Sequence, residues 1–187
     1  DFYNDMRAQL EKAQPNDGHK ILAELEKYFD VQIITQNVDN LHERAGSTNV
    51  LHLHGLLTQA RPVNNENKII DIGYRAMAYD EKNSDGEQMR PHIVWFGEAV
   101  PAIGEAAQLV RSADIFAVVG SSLVVYPAAG LVQDLRGGTK SYLIDPAEVN
   151  VPGWLNFRVI KEVASKGVAI MRDELLKEEK IKWHSQN

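Results

Sequence analysis

Four loops of the chain carry residues that could bind a ligand or move a proton, and each follows an apolar segment typical of a buried strand. These residues are Gln36, Asn37, Asp39, Asn40 and His42, then His54 and Gly55, then Gly120, Ser121 and Ser122, and last Asp145. In an open parallel sheet, ligands collect at the carboxyl ends of the strands, where loops lead into helices. The four loops therefore predict one ligand-binding edge.

The residue types in these loops suit distinct chemical tasks. The backbone N–H groups of the Gly-Ser-Ser turn at 120–122 could cradle a phosphate or a ribose. The carboxylate of Asp145 could accept a hydrogen bond from a ribose hydroxyl. A histidine such as His54 can take up a proton near neutral pH because its ordinary pKa is ~6.5. Phosphate, ribose and a proton are thus the groups that these loops can handle.

Each loop also has a purely structural interpretation. Asn and Asp after a strand commonly form an Asx turn or a helix N-cap, and Gly-Ser-Ser after a strand is a common connector. A single histidine at a strand end is more often structural than catalytic. Each residue taken alone leaves both interpretations open, whereas the order and number of the loops favour a binding site.

The composition restricts the classes of protein that remain. With 187 residues, of which 44% are hydrophobic, the chain can build one sizeable core and one main domain. The absence of cysteine excludes disulfides, cysteine-ligated zinc, iron–sulfur clusters and thiolate nucleophiles. A net charge of -6 argues against nucleic-acid binding and is compatible with basic, lysine-bearing substrates. Short apolar runs predict no membrane span, and the lack of a signal-peptide pattern at the start predicts a cytoplasmic protein.

Helical and strand patterns alternate along the chain. Helical patterns cover residues 2–10, 19–29, 103–112, 128–135 and 167–177, and strand patterns cover 31–35, 50–53, 93–96, 114–119, 141–144 and a segment near Arg158. This alternation predicts an α/β fold with a parallel sheet and right-handed crossovers. Residues 58–91 carry many turn formers and few periodic patterns. We therefore interpret them as a small inserted module, with residues 1–57 and 92–187 as the main domain.

In order and content, the motifs resemble the sirtuin family of NAD-dependent protein lysine deacylases over nearly the whole chain. Residues 35–47 (TQNVDNLHERAGS) resemble the family's nicotinamide-pocket signature, and 53–55 (LHG) resemble its catalytic His-Gly pair. Further segments resemble the substrate strand, 94–98 (VWFGE), the dinucleotide loop, 120–123 (GSSL) with 126–129 (YPAA), and the adenine-side segment, 164–168 (ASKGV).

The resemblance implies a Rossmann-like parallel sheet with helices on both faces, and NAD as a co-substrate bound between this domain and the small module. In the family, the acyl oxygen of an acyl-lysine protein or peptide attacks the nicotinamide ribose, nicotinamide leaves, and free lysine and O-acyl-ADP-ribose result. The resemblance implies that His54 is the catalytic base. It also implies that Asn37 and Asp39 hold the nicotinamide carboxamide and exclude water.

Two sets of binding residues follow from the same resemblance. The cofactor-binding residues are Gln36, Asn37, Val38, Asp39, Gly120, Ser121, Ser122, Asp145 and Val168, and the substrate-binding residues are Val94, Trp95, Phe96, Gly97, Glu98, Tyr3 and Met6. Residues 94–98 are expected to pair with the substrate peptide as an added strand, which would tolerate varied sequences around the lysine. Core packing is an equal alternative for Trp95 and Phe96.

The chain departs from the family in its small module and at its start. Most members bind a structural zinc through four cysteines, whereas residues 61–89 contain none. We therefore expect no zinc, and a module stabilised by hydrogen bonds and by apolar contacts of Ile69, Ile70 and Tyr74. The family's glycine-rich strand–turn and cofactor loop normally precede this chain's first residues, and no Met begins the chain. We expect the first strand and the phosphate cradle to be missing, and weak or no NAD turnover by these residues alone.

The first helical pattern bears on the choice of acyl group. Desuccinylating relatives place a tyrosine and, three positions later, an arginine that pairs with the acyl carboxylate. Here the tyrosine is Tyr3 and the later position is Met6. Loss of a bidentate carboxylate partner disfavours succinyl and malonyl groups, so we expect an acetyl or apolar acyl group. Arg7 is the residue that could substitute for the missing arginine.

Two other functions stay open at this point. The chain could be a non-catalytic module that binds NAD or ADP-ribose, or an enzyme of the same fold that transfers ADP-ribose to protein or hydrolyses NAD. The presence of His54 together with Gln36, Asn37 and Asp39 argues against a decayed active site.

Overall fold

The computed structural model describes residues 2–121, 128–149, 151, 153 and 155–186. The α-helices are α1 (Phe2–Lys12), α2 (Asp17–Leu25), α3 (Leu41–Ala45), α4 (Ile103–Ser112) and α5 (Ala164–Gln186), with a 3-10 helix at Ala128–Asp134. The strands are β1 (Ile33–Thr35), β2 (Val50–His52), β3 (Gly55–Pro62), β4 (Ile70–Asp71), β5 (Met89–Ile93), β6 (Ile115–Val119), β7 (Lys140–Ile144) and β8 (Phe157–Ile160). None of the helices in this described part has the length and apolarity that a membrane span requires.

The predicted loops follow strands that pair in parallel. β1 pairs with β2 in parallel, and β6, β7 and β8 form a second parallel sheet in that order. β7 is the central strand, and its residues Tyr142, Leu143 and Ile144 are fully buried because the strand is covered on both faces. The predicted α/β class is confirmed, but the described parallel strands form two sheets and not the single sheet that the pattern predicts.

α2 and α5 pack against each other, and α5 also contacts the central strand β7. Asn16 begins α2 with a capping box, in which its Oδ1 accepts from the His19 N–H at 3.2 Å and the His19 ring accepts from the Asn16 N–H at 3.3 Å. Gly167 lets α5 approach the sheet, since a Cβ at this position would lie 2.2 Å from Ile144 Cγ2. The two predicted N-terminal helices and the predicted closing helix are confirmed.

The small module folds around an antiparallel sheet that the sequence pattern did not reveal. β3 pairs with both β4 and β5, so the sheet begins at Gly55 and ends at Ile93. Its apolar cluster consists of Ala60, Ile72 and Met89. Ile69 and Ile70 are exposed on and beside the two-residue strand β4. The expectation that these two isoleucines stabilise the module is therefore wrong.

β5 ends before a turn of residues 94–98, which we call the 94–98 turn. The sequence predicts a strand that continues to Phe96, whereas β5 stops at Ile93. The chain turns here because the Trp95 N–H donates to the Glu98 carboxylate at 2.9 Å and the Glu98 N–H donates to the Trp95 carbonyl at 3.0 Å. The apolar residues of this segment thus stand on a closed turn and not on a strand.

Candidate active site

His54 lies between the end of β2 and the start of β3, and a backbone carbonyl fixes its ring. The His54 Nδ1 atom lies 2.9 Å from the Gln36 carbonyl oxygen. A carbonyl oxygen can only accept, so Nδ1 carries the proton and donates it to this bond. The lone pair of the neutral ring then belongs to Nε2, which is the tautomer that a general base at this position needs.

The backbone on either side of the His54 ring is held by the chain around β5. The His54 carbonyl accepts from the Val94 N–H at 3.0 Å. Gly55 has a φ of 81°, and a Cβ at this position would lie 1.9 Å from the His92 carbonyl oxygen. Only glycine fits so close a crossing of two backbones. The predicted base and the predicted substrate segment are therefore joined directly.

Residues 36–42, which we call the 36–42 loop, lead from β1 into α3. The Val38 carbonyl accepts from the Leu57 N–H at 2.8 Å, which ties the loop to β3. Asp39 Oδ1 accepts from the Leu41 N–H at 3.0 Å in an Asx turn. The structural interpretation of Asp39 is therefore correct. It is compatible with the binding role, because a carboxylate has a second oxygen that can accept from a ligand.

His52 supports Asn37, although the sequence analysis did not single it out. Its Nδ1 lies 3.3 Å from the Asn37 carbonyl oxygen, and its Nε2 lies 2.7 Å from Glu43 Oε1. Burial raises the pKa of Glu43, but the hydrogen bond with His52 and further interactions outweigh burial and bring the pKa below its ordinary value. The two-residue spacing of His52 and His54, typical of one strand face, is the signal that could have found it.

The rings of His19 and His42 lie side by side, a contact that the sequence analysis did not predict. Their ring centres lie 4.7 Å apart, with the planes inclined by 59°. Burial lowers the pKa of His42 and the neighbouring His19 lowers it further, while the carboxylates of Asp39 and Glu43 raise it. The pKa of His42 lies below its ordinary value, so this ring is neutral at neutral pH.

Arg90 organises the 94–98 turn. Its guanidinium donates to the two Glu98 carboxylate oxygens at 2.8 and 3.2 Å and lies 3.5 Å from the centre of the Trp95 ring. It also donates to the last carbonyl of β5 at 2.9 Å. The hydrogen bond from Arg90 lowers the pKa of Glu98. Phe96 is fully exposed on this turn, which rules out core packing for it, and the half-exposed Trp95 covers Arg90.

The predicted dinucleotide loops stand side by side at the ends of β6 and β7. The Gly120 N–H donates to the Ile144 carbonyl at 2.9 Å, and Asp145 follows Ile144 directly. Asp145 Oδ1 accepts from the Ala147 N–H at 2.8 Å in an Asx turn. Gly120, Ser121 and Asp145 thus share one edge of the sheet, as the sequence predicts. Ser122, with the rest of 122–127, lies outside the described residues.

Val168 is placed differently from the other predicted cofactor residues. It is fully buried and packs in one apolar cluster with Ile144 and Ile160. Val168 lies on the face of α5 that packs against the sheet, and none of its surface is exposed. The expectation that it contacts a cofactor directly is therefore corrected, because its side chain packs against the end of β7.

α1 brings the predicted acyl-recognition residues beside the 36–42 loop. Tyr3 and Met6 pack in the same apolar cluster as Val38. Arg7, in contrast, is fully buried, and its guanidinium donates to the carbonyl oxygens of Leu57 at 3.2 Å and Arg75 at 3.1 Å and to Asn4 Oδ1. Burial lowers the pKa of the Arg7 guanidinium, followed by the charge of Arg75. Arg7 therefore does not substitute for the missing acyl-carboxylate partner.

The small module does not fit the zinc that the family resemblance implies. Among the described residues, no three or more His, Asp or Glu side chains form a group that could hold a metal ion, and the chain has no cysteine. The Lys68 ammonium instead pairs with Asp85 and, at 2.9 Å, with Glu87. Asn83 Nδ2 donates to the same Glu87 carboxylate at 2.7 Å. These side chains build a hydrogen-bonded network within the small module.

A known family shares the region that contains His54, the 36–42 loop and the 94–98 turn. The sequence model of the Sir2 family matches residues 1–127. The chain belongs to the Sir2 family. The resemblance to sirtuins that the motifs indicate is thereby confirmed.

Relatives of this Sir2-family chain cover most of its length. An NAD-dependent protein deacylase of Bacteroides thetaiotaomicron is 48% identical in an alignment 182 residues long, which covers 94% of this chain and 77% of that protein. A Sir2 homologue solved as a complex with NAD has a TM-score of 0.82 at 33% identity, covering 94% of this chain and 70% of the other. Sir2Tm bound to a propionylated peptide has a TM-score of 0.73 at 31% identity, covering 89% and 73%.

Proposed function

We infer that this Sir2-family chain is an NAD-dependent protein lysine deacylase with His54 as its base. The observation that carries the inference is the position of His54, whose ring is bonded to the Gln36 carbonyl and whose own carbonyl is bonded to the Val94 N–H. The base therefore lies between the 36–42 loop and the 94–98 turn. The relative named NAD-dependent protein deacylase supports the same activity, as do the related structures with NAD and with a propionylated peptide.

The side chains around His54 divide the work of the reaction. NAD supplies the ribose carbon that the acyl oxygen attacks and the ribose hydroxyl that later receives the acyl group. Asn37 and Asp39 hold the nicotinamide carboxamide and keep water away from it. Nε2 of His54 takes the proton of a ribose hydroxyl, while Nδ1 stays bonded to the Gln36 carbonyl and holds the ring in place.

The ADP-ribose part of NAD is expected along the ends of β6 and β7. We propose that the turn of Gly120, Ser121 and Ser122 contacts a phosphate or ribose oxygen of NAD. The carboxylate oxygen of Asp145 that lies outside its Asx turn would accept from a ribose hydroxyl. Support for this arrangement comes from the adjacency of Gly120 and Asp145 at neighbouring strand ends.

The acyl-lysine peptide is expected along the 94–98 turn. Phe96 is exposed there, and the backbone of Val94 is bonded to the His54 carbonyl, which would bring the lysine close to the base. On the α1 side, Tyr3 and Met6 offer an apolar surface and no cation. We therefore propose that acetyl and other apolar acyl groups are removed faster than succinyl or malonyl groups.

The small module, residues 58–91, is proposed to work without zinc beside the NAD-binding domain formed by 1–57 and 92–187. Support comes from the network of Lys68, Asn83 and Glu87 and from the absence of cysteine. Elemental analysis of the purified protein tests this proposal. One tightly bound zinc per chain would refute it.

One experiment separates the candidate activities. The full-length protein is incubated with NAD and an acetyl-lysine peptide, and the products are identified by mass spectrometry. A deacylase yields nicotinamide, the free-lysine peptide and O-acetyl-ADP-ribose in equal amounts. ADP-ribose on the peptide would instead indicate a transferase, free ADP-ribose an NAD hydrolase, and NAD binding without products a non-catalytic module.

A further inference from the structure

Tyr74 of the small module reaches the 36–42 loop and meets the side chain of Asn40. Asn40 Nδ2 donates to the Tyr74 hydroxyl at 3.0 Å, and the hydroxyl lies 3.3 Å from Asn40 Oδ1, to which it can donate. Both partners are half-buried, so water competes less for these bonds than it would at an open surface. The contact joins two parts of the chain that are 34 residues apart in sequence.

The conformation of Asn40 shows that its amide is directed to Tyr74 and not to the helix that follows. Asn40 is the N-cap residue of α3, and asparagine is among the residues that cap a helix best. Its side chain nevertheless makes no capping hydrogen bond. The carboxylate of Asp39 bonds the Leu41 N–H instead. The Asn40 amide is thus available to Tyr74 because its neighbour in the 36–42 loop satisfies the start of α3.

The segment that carries Tyr74 is itself fixed to α1. Asn4 Nδ2 donates to the Met77 carbonyl at 2.9 Å, and the Met77 N–H donates back to Asn4 Oδ1 at 3.0 Å. Arg7 Nε donates to the Arg75 carbonyl at 3.1 Å. The Tyr74 ring packs on the apolar cluster built around Leu10, Leu57 and Ile93. The hydroxyl is therefore presented from a rigid support.

The contact between Asn40 and Tyr74 matters because Asn40 lies in the 36–42 loop. Asn40 directly follows Asp39, and Asn37 lies three residues earlier. On the N-terminal side of Asp39 the loop is held through the carbonyls of Gln36, Asn37 and Val38, which bond to His54, His52 and the Leu57 N–H. The bond to Tyr74 adds an anchor on the C-terminal side of Asp39. Anchors on both sides of Asp39 restrict its position more than anchors on one side do.

We propose that Tyr74 is a positioning residue for the nicotinamide end of the site, acting through Asn40. Its hydroxyl holds the 36–42 loop so that Asn37 and Asp39 meet the carboxamide, and it makes the small module a part of cofactor recognition. This inference depends on the proposed function, since it assumes that the 36–42 loop binds nicotinamide. The 94–98 turn is anchored separately by Arg90, so peptide binding should not depend on the Tyr74 hydroxyl.

The test compares Tyr74→Phe, which keeps the packed ring and removes only the hydroxyl, with the full-length wild type. The matched control is Tyr79→Phe, which removes an exposed hydroxyl from the same module. For Tyr74→Phe we expect the KM for NAD and the inhibition constant of nicotinamide to rise about 2- to 10-fold, as for the loss of one hydrogen bond. The peptide KM and the Tm should stay close to wild type, and Tyr79→Phe should change none of these values.

A double-mutant cycle with Asn40→Ala shows whether the effect passes through Asn40. If it does, Tyr74→Phe adds nothing further in the Asn40→Ala background. An unchanged KM for NAD in Tyr74→Phe, an equal rise in the peptide KM, or additive effects in the cycle would each overturn the inference. Direct NAD binding by calorimetry accompanies the kinetics. A wild type that binds NAD but forms no O-acetyl-ADP-ribose refutes the proposed function, and the calorimetric difference between wild type and Tyr74→Phe still decides the role of Tyr74.

Discussion

The His54 ring donates from Nδ1 to the Gln36 carbonyl oxygen at 2.9 Å, and this bond joins the ends of β1 and β2. The acceptor is a backbone atom, so the bond does not depend on the side chain of Gln36. It fixes the orientation of the ring together with its tautomer and leaves the lone pair on Nε2, which the proposed base needs. The same residue is bonded through its carbonyl to the Val94 N–H at 3.0 Å, so the backbone of His54 is joined directly to the 94–98 turn.

Gly55→Ala should destabilise the protein severely. The new Cβ would lie 1.9 Å from the His92 carbonyl oxygen, at a backbone φ of 81°. Strain and forced displacement of β5 together should lower the free energy of unfolding by roughly 2–5 kcal/mol. Denaturant unfolding measures the loss. The control is Gly104→Ala in α4, where nothing lies within 4 Å of the new Cβ and a small gain is expected. A Gly55→Ala protein as stable as wild type would contradict the close crossing.

Arg90→Lys should weaken peptide binding and leave NAD binding nearly unchanged. Lysine keeps the charge but cannot reproduce the two bonds to Glu98 and the flat stack over Trp95. The peptide KM should rise about 10-fold or more, the range for losing hydrogen bonds of a charged pair. Steady-state kinetics with each substrate varied in turn measures the difference. Arg158→Lys, at an exposed pair with Glu174, serves as control and should match wild type. An equal rise in both KM values would contradict the assignment.

Met6→Arg should create desuccinylation activity. The guanidinium would stand where desuccinylating relatives of the family carry theirs, close to Tyr3 and Val38, and could bind the acyl carboxylate with two hydrogen bonds. The ratio of desuccinylation to deacetylation on one peptide sequence should rise at least about 10-fold. Met6→Leu, which keeps an apolar side chain, should not raise this ratio. Faster desuccinylation than deacetylation by the wild type would refute the acyl preference proposed above.

The protein should become less stable as the pH falls below neutrality. Burial lowers the folded-state pKa of His19, His42 and His92. The unfolded chain, with histidine pKa values of ~6.5, then takes up protons before the folded chain does, so the free energy of unfolding decreases as pH falls through this value. Thermal unfolding at about pH 7.5 and about pH 5.5 measures the change. His42→Gln should reduce this pH dependence, and a Tm that rises on acidification would contradict the burial of neutral histidines.

The main elements could be predicted because their patterns are local. The periodicity of residues 103–112 gives α4 with its observed bounds, and the β-branched runs locate β1, β6 and β7 to within two residues. The sheet of the small module escaped prediction because its strands pair across long turns, for example Ala60 with Pro91. β5 was placed too late because a bond between Trp95 and the Glu98 side chain closes the turn. A local bond from the backbone to a side chain three residues later thus overrides strand propensity here.

The site residues could be listed from the sequence, but their supports could not. The motif order located His54, the 36–42 loop and the 94–98 turn, because their residue types are distinctive. The supporting contacts join residues far apart along the chain, such as Tyr74 with Asn40 and Arg7 with the Leu57 carbonyl. No periodic pattern encodes them. The roles of the predicted site residues, including Ser122 outside the described residues, remain predictions that the experiments above address.

The most direct test of His54 as the base is the rate of O-acetyl-ADP-ribose formation by full-length His54→Ala, with nicotinamide release and NAD affinity measured in the same samples. Loss of a positioned base should reduce product formation by about 100-fold or more, while NAD affinity is retained, because the base is not needed to bind the cofactor. A His54→Ala protein that forms O-acetyl-ADP-ribose within a few-fold of the wild-type rate would contradict the central claim.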